Sequence, residues 1–339
     1  MCREDYQRPG MSEYIVNMNM QSYLLGVDGG GSSTIAWIAS GDGSILAKGG
    51  AGPSNIKAVG ESAALEALEE AIASAMTSAD KVIDGSIYHF DAACFGLAGI
   101  DHPEDRKLIE KWNEERKVAT SLVLVNDGEL VLAAGTQEGW GVAVIAGTGS
   151  IVVGRNADGQ TARAGGWGHL FGDEGSGYGT AIAALRLVAE RYDGRKKKIE
   201  NDVLTRTICR AVGVDDPSAL VSAIYGPGFD RAKIAALTET IVAAAECDAS
   251  IVRDLLEPAG IALAHAALAV AERLNLPRKE LPLAMAGGFV LSCEIVSQTL
   301  QNELARAGYR CVACRVDEPV RGAIALAQRA LNGTRLAGA

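Results

Sequence analysis

Four short stretches of this 339-residue sequence carry residues placed for chemistry. Residues 26–34 read GVDGGGSST, with Asp28 just ahead of Gly29, Gly30 and Gly31 and the hydroxyl of Ser32 just after them. Gly147, Thr148, Gly149 and Ser150 repeat the theme about one domain length later. A glycine-rich hairpin tip presents backbone N–H groups with no side chain in the way, so it can cradle a phosphate while hydroxyls add donors. Either cluster alone reads as a tight hairpin; the pair points to two tips gripping adjacent phosphates of one nucleotide. Asp28 and a phosphate are both anionic at neutral pH, so the carboxylate is suited to hold Mg2+ through water.

The other two stretches concern a second substrate. Asn126-Asp127-Gly128 follows an apolar run, and in open α/β sheets ligands gather at the carboxyl ends of strands. Asp127 there can accept a hydroxyl proton as the oxygen attacks a phosphoryl group, an effect worth roughly a hundred- to ten-thousand-fold. It suits a helix N-cap equally well. Residues 165–179, GGWGHLFGDEGSGYG, pack seven glycines around Trp167, His169, Asp173 and Glu174. An aromatic surface and carboxylates on such a loop describe a site for a polyhydroxylated ligand, with Asp173 accepting from hydroxyls and Trp167 covering an apolar face. Two common nucleotide fingerprints are missing: no G-x-x-x-x-G-K-[ST] occurs, and Thr34 and Val152 stand where G-x-G-x-x-G requires its last glycine.

The elements that must position these residues follow from hydrophobic periodicity. A strand, glycine tip and return strand are predicted over residues 24–43, then a strand at 45–48, a helix over 61–76, a strand at 92–97, a helix starting at His102-Pro103-Glu104 and a strand at 122–125. The strand-tip-strand pattern returns over 141–154. Long helical patterns cover 177–192, 231–246 and 250–274, a strand at 283–286 ends in Gly287-Gly288, and a last helix begins near Pro319. The order predicts an α/β layer structure in two related halves. Cys311 and Cys314, the only C-x-x-C, read as part of a buried strand.

Composition bounds the function. A length prior of roughly 150 residues per domain gives two domains with a cleft between them. The 40 glycines are well above the usual level of roughly 7%. A net charge of -10 argues against nucleic acid or an anionic membrane surface as partner. Seven cysteines at scattered positions form no disulfide framework and fit a reducing cytoplasm. No run of the roughly 18 apolar residues that a membrane span needs is evident.

Taken together, these segments resemble the sugar kinase, actin and heat-shock chaperone superfamily, and specifically the N-acetylglucosamine kinases of the BadF-type ATPase group, over residues 23–332. DGGGSST is similar to the first phosphate motif, IAGTGS to the second, AGGFV (286–290) to the adenosine motif, and GGWGHLFGDEGSG to the string where the sugar binds. The resemblance implies two actin-like (ribonuclease H-like) domains around a central cleft, each a mixed five-stranded sheet with flanking helices. These would be residues 21–137 joined by the C-terminal helix 320–332, and residues 138–319 with helical insertions; residues 1–20, polar and with further methionines at positions 11, 18 and 20, read by composition as a loose extension or an early start codon. It implies ATP and Mg2+ as cofactors, transfer to the 6-hydroxyl of N-acetyl-D-glucosamine, and a homodimer. By matching motif, Ser32 and Thr148 contact the ATP phosphates and Gly288 lies against the adenosine. Asn55, Gly166, Trp167 and Asp173 contact the sugar, and Asp127 is the base. Ser32 stands where the group usually has threonine, and the hydroxyl survives. Glucosamine and N-acetylmuramic acid kinases are the near alternatives. The distant one is the iron-sulfur ATPase that activates acyl-CoA dehydratases, whose cluster needs thiolates from both subunits.

Overall fold

The computed structural model describes residues 22–80, 89–100, 102–136, 138–197 and 202–333, so the expected extension 1–20 lies outside them. The apolar runs of β1 (Tyr23–Gly29) and β2 (Thr34–Ser40) are buried on both faces and pair antiparallel, Tyr23 opposite Ser40 and Gly29 opposite Thr34. β3 (Ile45–Ala51) adds to β2. After α1 (Ile56–Val59) and α2 (Glu61–Ala79), β4 (Phe90–Leu97) lies parallel to β1; after α3 (Pro103–Arg116), β5 (Ala119–Val125) lies parallel to β4. α4 (Asp127–Gly135) then leaves the sheet, whose order is β3-β2-β1-β4-β5.

The second sheet repeats this plan. β6 (Gly141–Ala146), β7 (Ser150–Arg155) and β8 (Thr161–Gly165) form an antiparallel meander. α5 (Gly177–Tyr192), α6 (Val203–Val212), α7 (Leu220–Ile224), α8 (Arg231–Ala245), α9 (Ala249–Ile251) and α10 (Glu257–Arg273) follow. β9 (Leu281–Ala286) then pairs parallel with β6, and after α11 (Gly288–Ser292) and α12 (Glu294–Arg306), β10 (Cys311–Val316) pairs parallel with β9. The order β10-β9-β6-β7-β8 is the first sheet's order read from the other end, so β6 has the role of β1.

Three features differ from the sequence reading. β8, α6 and α12 were not anticipated: five residues of TARAG give little periodic signal, whereas Leu204 and Ile208 in α6, and Val296, Leu300 and Leu304 in α12, have a helical spacing that the reading passed over. The Cys311–Cys314 strand is not buried: β10 closes one edge of its sheet, and Val312 is 60% exposed. Residues 249–273, interrupted by a π-helical turn (Val252–Leu256) just ahead of Pro258, are long and apolar enough to cross a membrane, contrary to expectation. Half of that stretch is buried in the protein, where Leu255, Leu256, Leu263 and Ala267 pack under the second sheet.

The strand period of two sorts β1 into faces. Leu25 and Val27 meet Leu68, Phe95 and Ile109 on one side, while Leu24 meets Leu130 of α4 and Ile324 of α13 (Val320–Leu331) on the other. Asp28 shares the face of Leu24, toward α4. α4 belongs to both cores: Leu130 packs with the first sheet, whereas Val131 and Leu132 pack with Ala143, Val153 and Ala284 of the second. α13 crosses α4 so closely that a Cβ at Gly322 would collide with the Leu130 carbonyl.

Candidate active site

The first hairpin is held from one side only. Gly30 N–H donates to the Ser33 carbonyl at 2.9 Å within the tip, Ala98 N–H to the Gly29 carbonyl at 2.8 Å, and Ser54 N–H to the Gly30 carbonyl at 3.1 Å. A Cβ on Gly29 would overlap the Ser54 hydroxyl, so this close approach requires glycine. Beyond it the tip is open: nothing lies within 4 Å of a Cβ built on Gly31, and Ser32 is exposed. Asn55 follows Ser54 directly and caps α1, its Oδ1 accepting from Lys57 N–H at 3.0 Å. These bonds place Asn55 beside Gly29 and Gly30.

Asp28 and Asp127 are brought within electrostatic reach. Burial, and secondarily the negative charge of Asp127, push the Asp28 carboxyl up to about 7. Asp127 is the first residue of α4, where the helix dipole favours negative charge, and its Oδ1 accepts from Gly128 N–H at 2.9 Å. The cap itself is Asn126, in a capping box with Glu129, so the N-cap reading of Asp127 moves one residue back. Glu129 pairs with Arg155 of β7, and a Cβ on Gly128 would lie 3.0 Å from Val153 and 3.4 Å from Ile145. The start of α4 is thus lodged between β1, which leads into the first tip, and the β6–β7 pair that carries the second.

The second hairpin is fastened from behind. The first two N–H groups of α5, orphaned in an isolated helix, donate to it: Gly177 to the Gly147 carbonyl at 2.8 Å and Tyr178 to the Thr148 carbonyl at 3.2 Å. Ser176 caps the next N–H, of Gly179, at 3.0 Å. Gly147 N–H turns inward to the Gly149 carbonyl at 3.0 Å and Ser150 N–H goes to Asp173, which leaves the N–H groups of Thr148 and Gly149 for a ligand. Thr148, Gly147, Gly288 and Phe289, with Ala235 and Glu239 of α8, line a cleft of about 620 Å³.

The glycine-rich loop runs off β8. Gly166 N–H donates to the Ser150 carbonyl at 3.1 Å, and Trp167 stands 60% exposed with Phe171 at 6.3 Å. His169 packs edge-on against Tyr178. Asp173 is only 3% exposed: Oδ1 accepts from Ser150 N–H at 3.1 Å and Oδ2 from Arg231 at 2.6 Å. Its carboxylate is therefore occupied by the protein, while Trp167 and Asn55 present the accessible surfaces. Sequence reasoning missed Arg231, the Glu129–Arg155 pair and the buried hydroxyl of Ser54. The Asn126-x-x-Glu129 spacing was the available signal for the first pair; nothing local marked Arg231.

The residues present fit a magnesium nucleotide. The open backbone at Gly31 in the first tip and at Gly288 at the start of α11 admits close approach, the cleft lies beside the second tip, and Asp28 of β1 comes within electrostatic reach of Asp127 at the start of α4. Among the described residues no group of three or more His, Cys, Asp or Glu side chains is gathered for a metal, so a cation here would complete its shell from phosphate and water.

Comparison with known proteins gives a consistent picture. A profile of the BadF/BadG/BcrA/BcrD ATPase family matches residues 25–326. An N-acetylmuramic acid/N-acetylglucosamine kinase of Clostridium acetobutylicum is 34% identical over 270 residues, 79% of this chain and 85% of the relative. An N-acetyl-D-glucosamine kinase of Dictyostelium discoideum is 30% identical over 288 residues, 83% and 89% of the two chains. A solved structure of a presumed N-acetylglucosamine kinase from Chromobacterium violaceum superposes with a TM-score of 0.67 at 29% identity, covering 90% of this chain and 98% of that one.

Proposed function

The chain belongs to the BadF/BadG/BcrA/BcrD ATPase family, and we propose that it is an ATP-dependent kinase phosphorylating the 6-hydroxyl of N-acetyl-D-glucosamine. The observation that carries this reading is the approach of Asp28 on β1 to Asp127 at the start of α4, which is lodged between the strands that carry the two glycine hairpins. ATP supplies the phosphoryl group and Mg2+ neutralises its charge when bound. Asp127 takes the proton from the sugar hydroxyl, and Asp28, once ionised, holds the cation through water. Gly29, Gly30, Gly31 and Ser32 hold phosphate on one side; Gly147, Thr148 and Gly149 hold it on the other. Gly288 lies against the adenosine. Asn55, Gly166 and Trp167 orient the sugar, with Asp173 supporting the loop from within.

We further propose two domains, 21–137 with 320–332 and 138–319, closing over the substrates, and a homodimer, which sedimentation would test. N-acetylmuramic acid is the second substrate to consider, because the Clostridium relative is named for both sugars. The experiment is ADP release with Mg-ATP and N-acetylglucosamine, N-acetylmuramic acid, glucosamine, N-acetylmannosamine and glucose. Preference for N-acetylglucosamine is expected. Folded, ATP-binding protein that releases no ADP with any of them would overturn the reading.

A further inference from the structure

Three locally unfavourable choices meet at one contact. Arg231 opens α8, although a cation at a helix N-terminus opposes the dipole. Asp173 has a φ of 62°, in the left-handed region that costs a side-chain-bearing residue energy. Its carboxylate is almost wholly buried, yet it is a charge. Such violations of local preference concentrate where a structure serves a function. Here they coincide at one guanidinium–carboxylate contact of 2.6 Å.

The contact sits where three parts join. Asp173 belongs to the glycine-rich loop and also accepts from Ser150 N–H, the residue that ends the second hairpin tip. A Cβ on Gly149 would lie 2.6 Å from Arg231 Nη2 and 2.8 Å from Asp173 Oδ1, so the ion pair lies directly against the tip. Arg231 is followed on α8 by Ala232, Ala235 and Glu239, which form a wall of the nucleotide-sized cleft. The backbone of Asp173 is anchored as well, its carbonyl accepting from Ser176 N–H at 3.1 Å ahead of α5.

We propose, taking the sugar-kinase reading for the identity of the loop's ligand, that Arg231 is a positioning residue linking nucleotide binding to the sugar loop through Asp173. A nucleotide in the cleft fixes α8 and the hairpin tip, and the ion pair passes that constraint to the loop carrying Trp167. The guanidinium acts on the loop through Asp173 and transfers nothing itself.

Exposed Trp167 reports on the loop. The test is acrylamide quenching of Trp167, taken as the difference between the protein and its Trp167→Phe variant, with and without a non-hydrolysable ATP analogue and Mg2+. The analogue is expected to shield Trp167 in the wild type and in Arg231→Lys, and to fail to do so in Arg231→Ala, while its own affinity stays within about threefold. With sugar present, Arg231→Ala should also lose the analogue's enhancement of sugar affinity, at least about fivefold in the wild type. Arg231→Gln reads the same comparison should the alanine variant not fold. Shielding that is equal in wild type and Arg231→Ala, or absent from the wild type, overturns the proposal. Arg231-dependent shielding in a protein that phosphorylates none of the panel sugars would uphold the link and overturn the kinase reading instead.

Discussion

The two glycine hairpins occupy equivalent places in their sheets, yet their tips are held by different means. The first, beyond Gly29, is tied by one contact within itself and by the neighbouring segments at Ser54 and Ala98, and Gly31 projects into open space. The second has its carbonyls taken by the start of α5, and Asp173 and Arg231 packed against its side. Charge is distributed in the opposite sense. The less constrained tip adjoins two carboxylates, while the fastened tip adjoins an ion pair whose charges cancel. A duplicated element has thus been divided into a side that supplies chemistry and a side that supplies a fixed rack of donors.

The comparison breaks if chemistry survives the loss of the first side's base. Asp127→Asn should lower sugar-dependent ADP release by roughly a hundred- to ten-thousand-fold while calorimetry shows nucleotide binding retained. Wild-type turnover in that variant would remove the assignment of chemistry to this side. On the fastened side the large effect should be structural. Arg231→Ala strands a buried carboxylate, at a cost of about 3 kcal/mol in urea unfolding, whereas Asp173→Asn leaves only a half-exposed guanidinium that water can solvate and should cost about 1 kcal/mol. Equal costs would show that burial of the carboxylate does not govern the pair.

Asp28 sharpens the contrast through pH. Its carboxyl titrates at about 7 in the folded protein, against an ordinary 3.8, so the folded state binds the proton more tightly than the unfolded chain. Stability without Mg2+ is therefore greatest below pH 4 as far as this group is concerned, and its contribution is lost as pH rises through 7. Mg2+ affinity should rise over the upper part of the same range. Asp28→Asn should stabilise the metal-free protein by about 2 kcal/mol at pH 8 and remove the Mg2+ dependence on pH. A pH-independent melting temperature in the wild type would contradict the burial of this carboxyl. The smallest effect belongs to Ser54, whose buried hydroxyl has no partner among the described residues. Ser54→Ala should change thermal stability by less than about 1 kcal/mol, because no hydrogen bond is lost. A large loss would show that the hydroxyl serves the first tip.

Much of this was legible in the sequence because it is local. The hairpins show as glycine between apolar runs, and the 177–192 helix was placed with the bounds that Gly177–Tyr192 has in the structure. The loop announced itself through seven glycines around Trp167. What escaped depends on long-range packing. Arg231 lies 58 positions from Asp173, and no periodicity links them. Cys311–Val316 has the composition of a buried strand, but its place at the sheet edge is decided by partners elsewhere in the chain. Asp127 was ambiguous between base and cap; the geometry gave the cap to its neighbour Asn126.

The place of α13 has a consequence for biosynthesis. One face of the first sheet, with Leu24, Trp37, Ala92 and Cys94, is covered by Val320, Ala323, Ile324 and Ala327 from the far end of the chain. On the ribosome that face has only α4, through Leu130 and Ala133, to cover it until residues 320–331 have emerged, long after the strands beneath it were made. A message truncated anywhere ahead of α13 would yield a product with a partly uncovered apolar sheet, readily bound by chaperones and proteases. α13 thus acts as a seal that closes only once the chain has been made through residue 331.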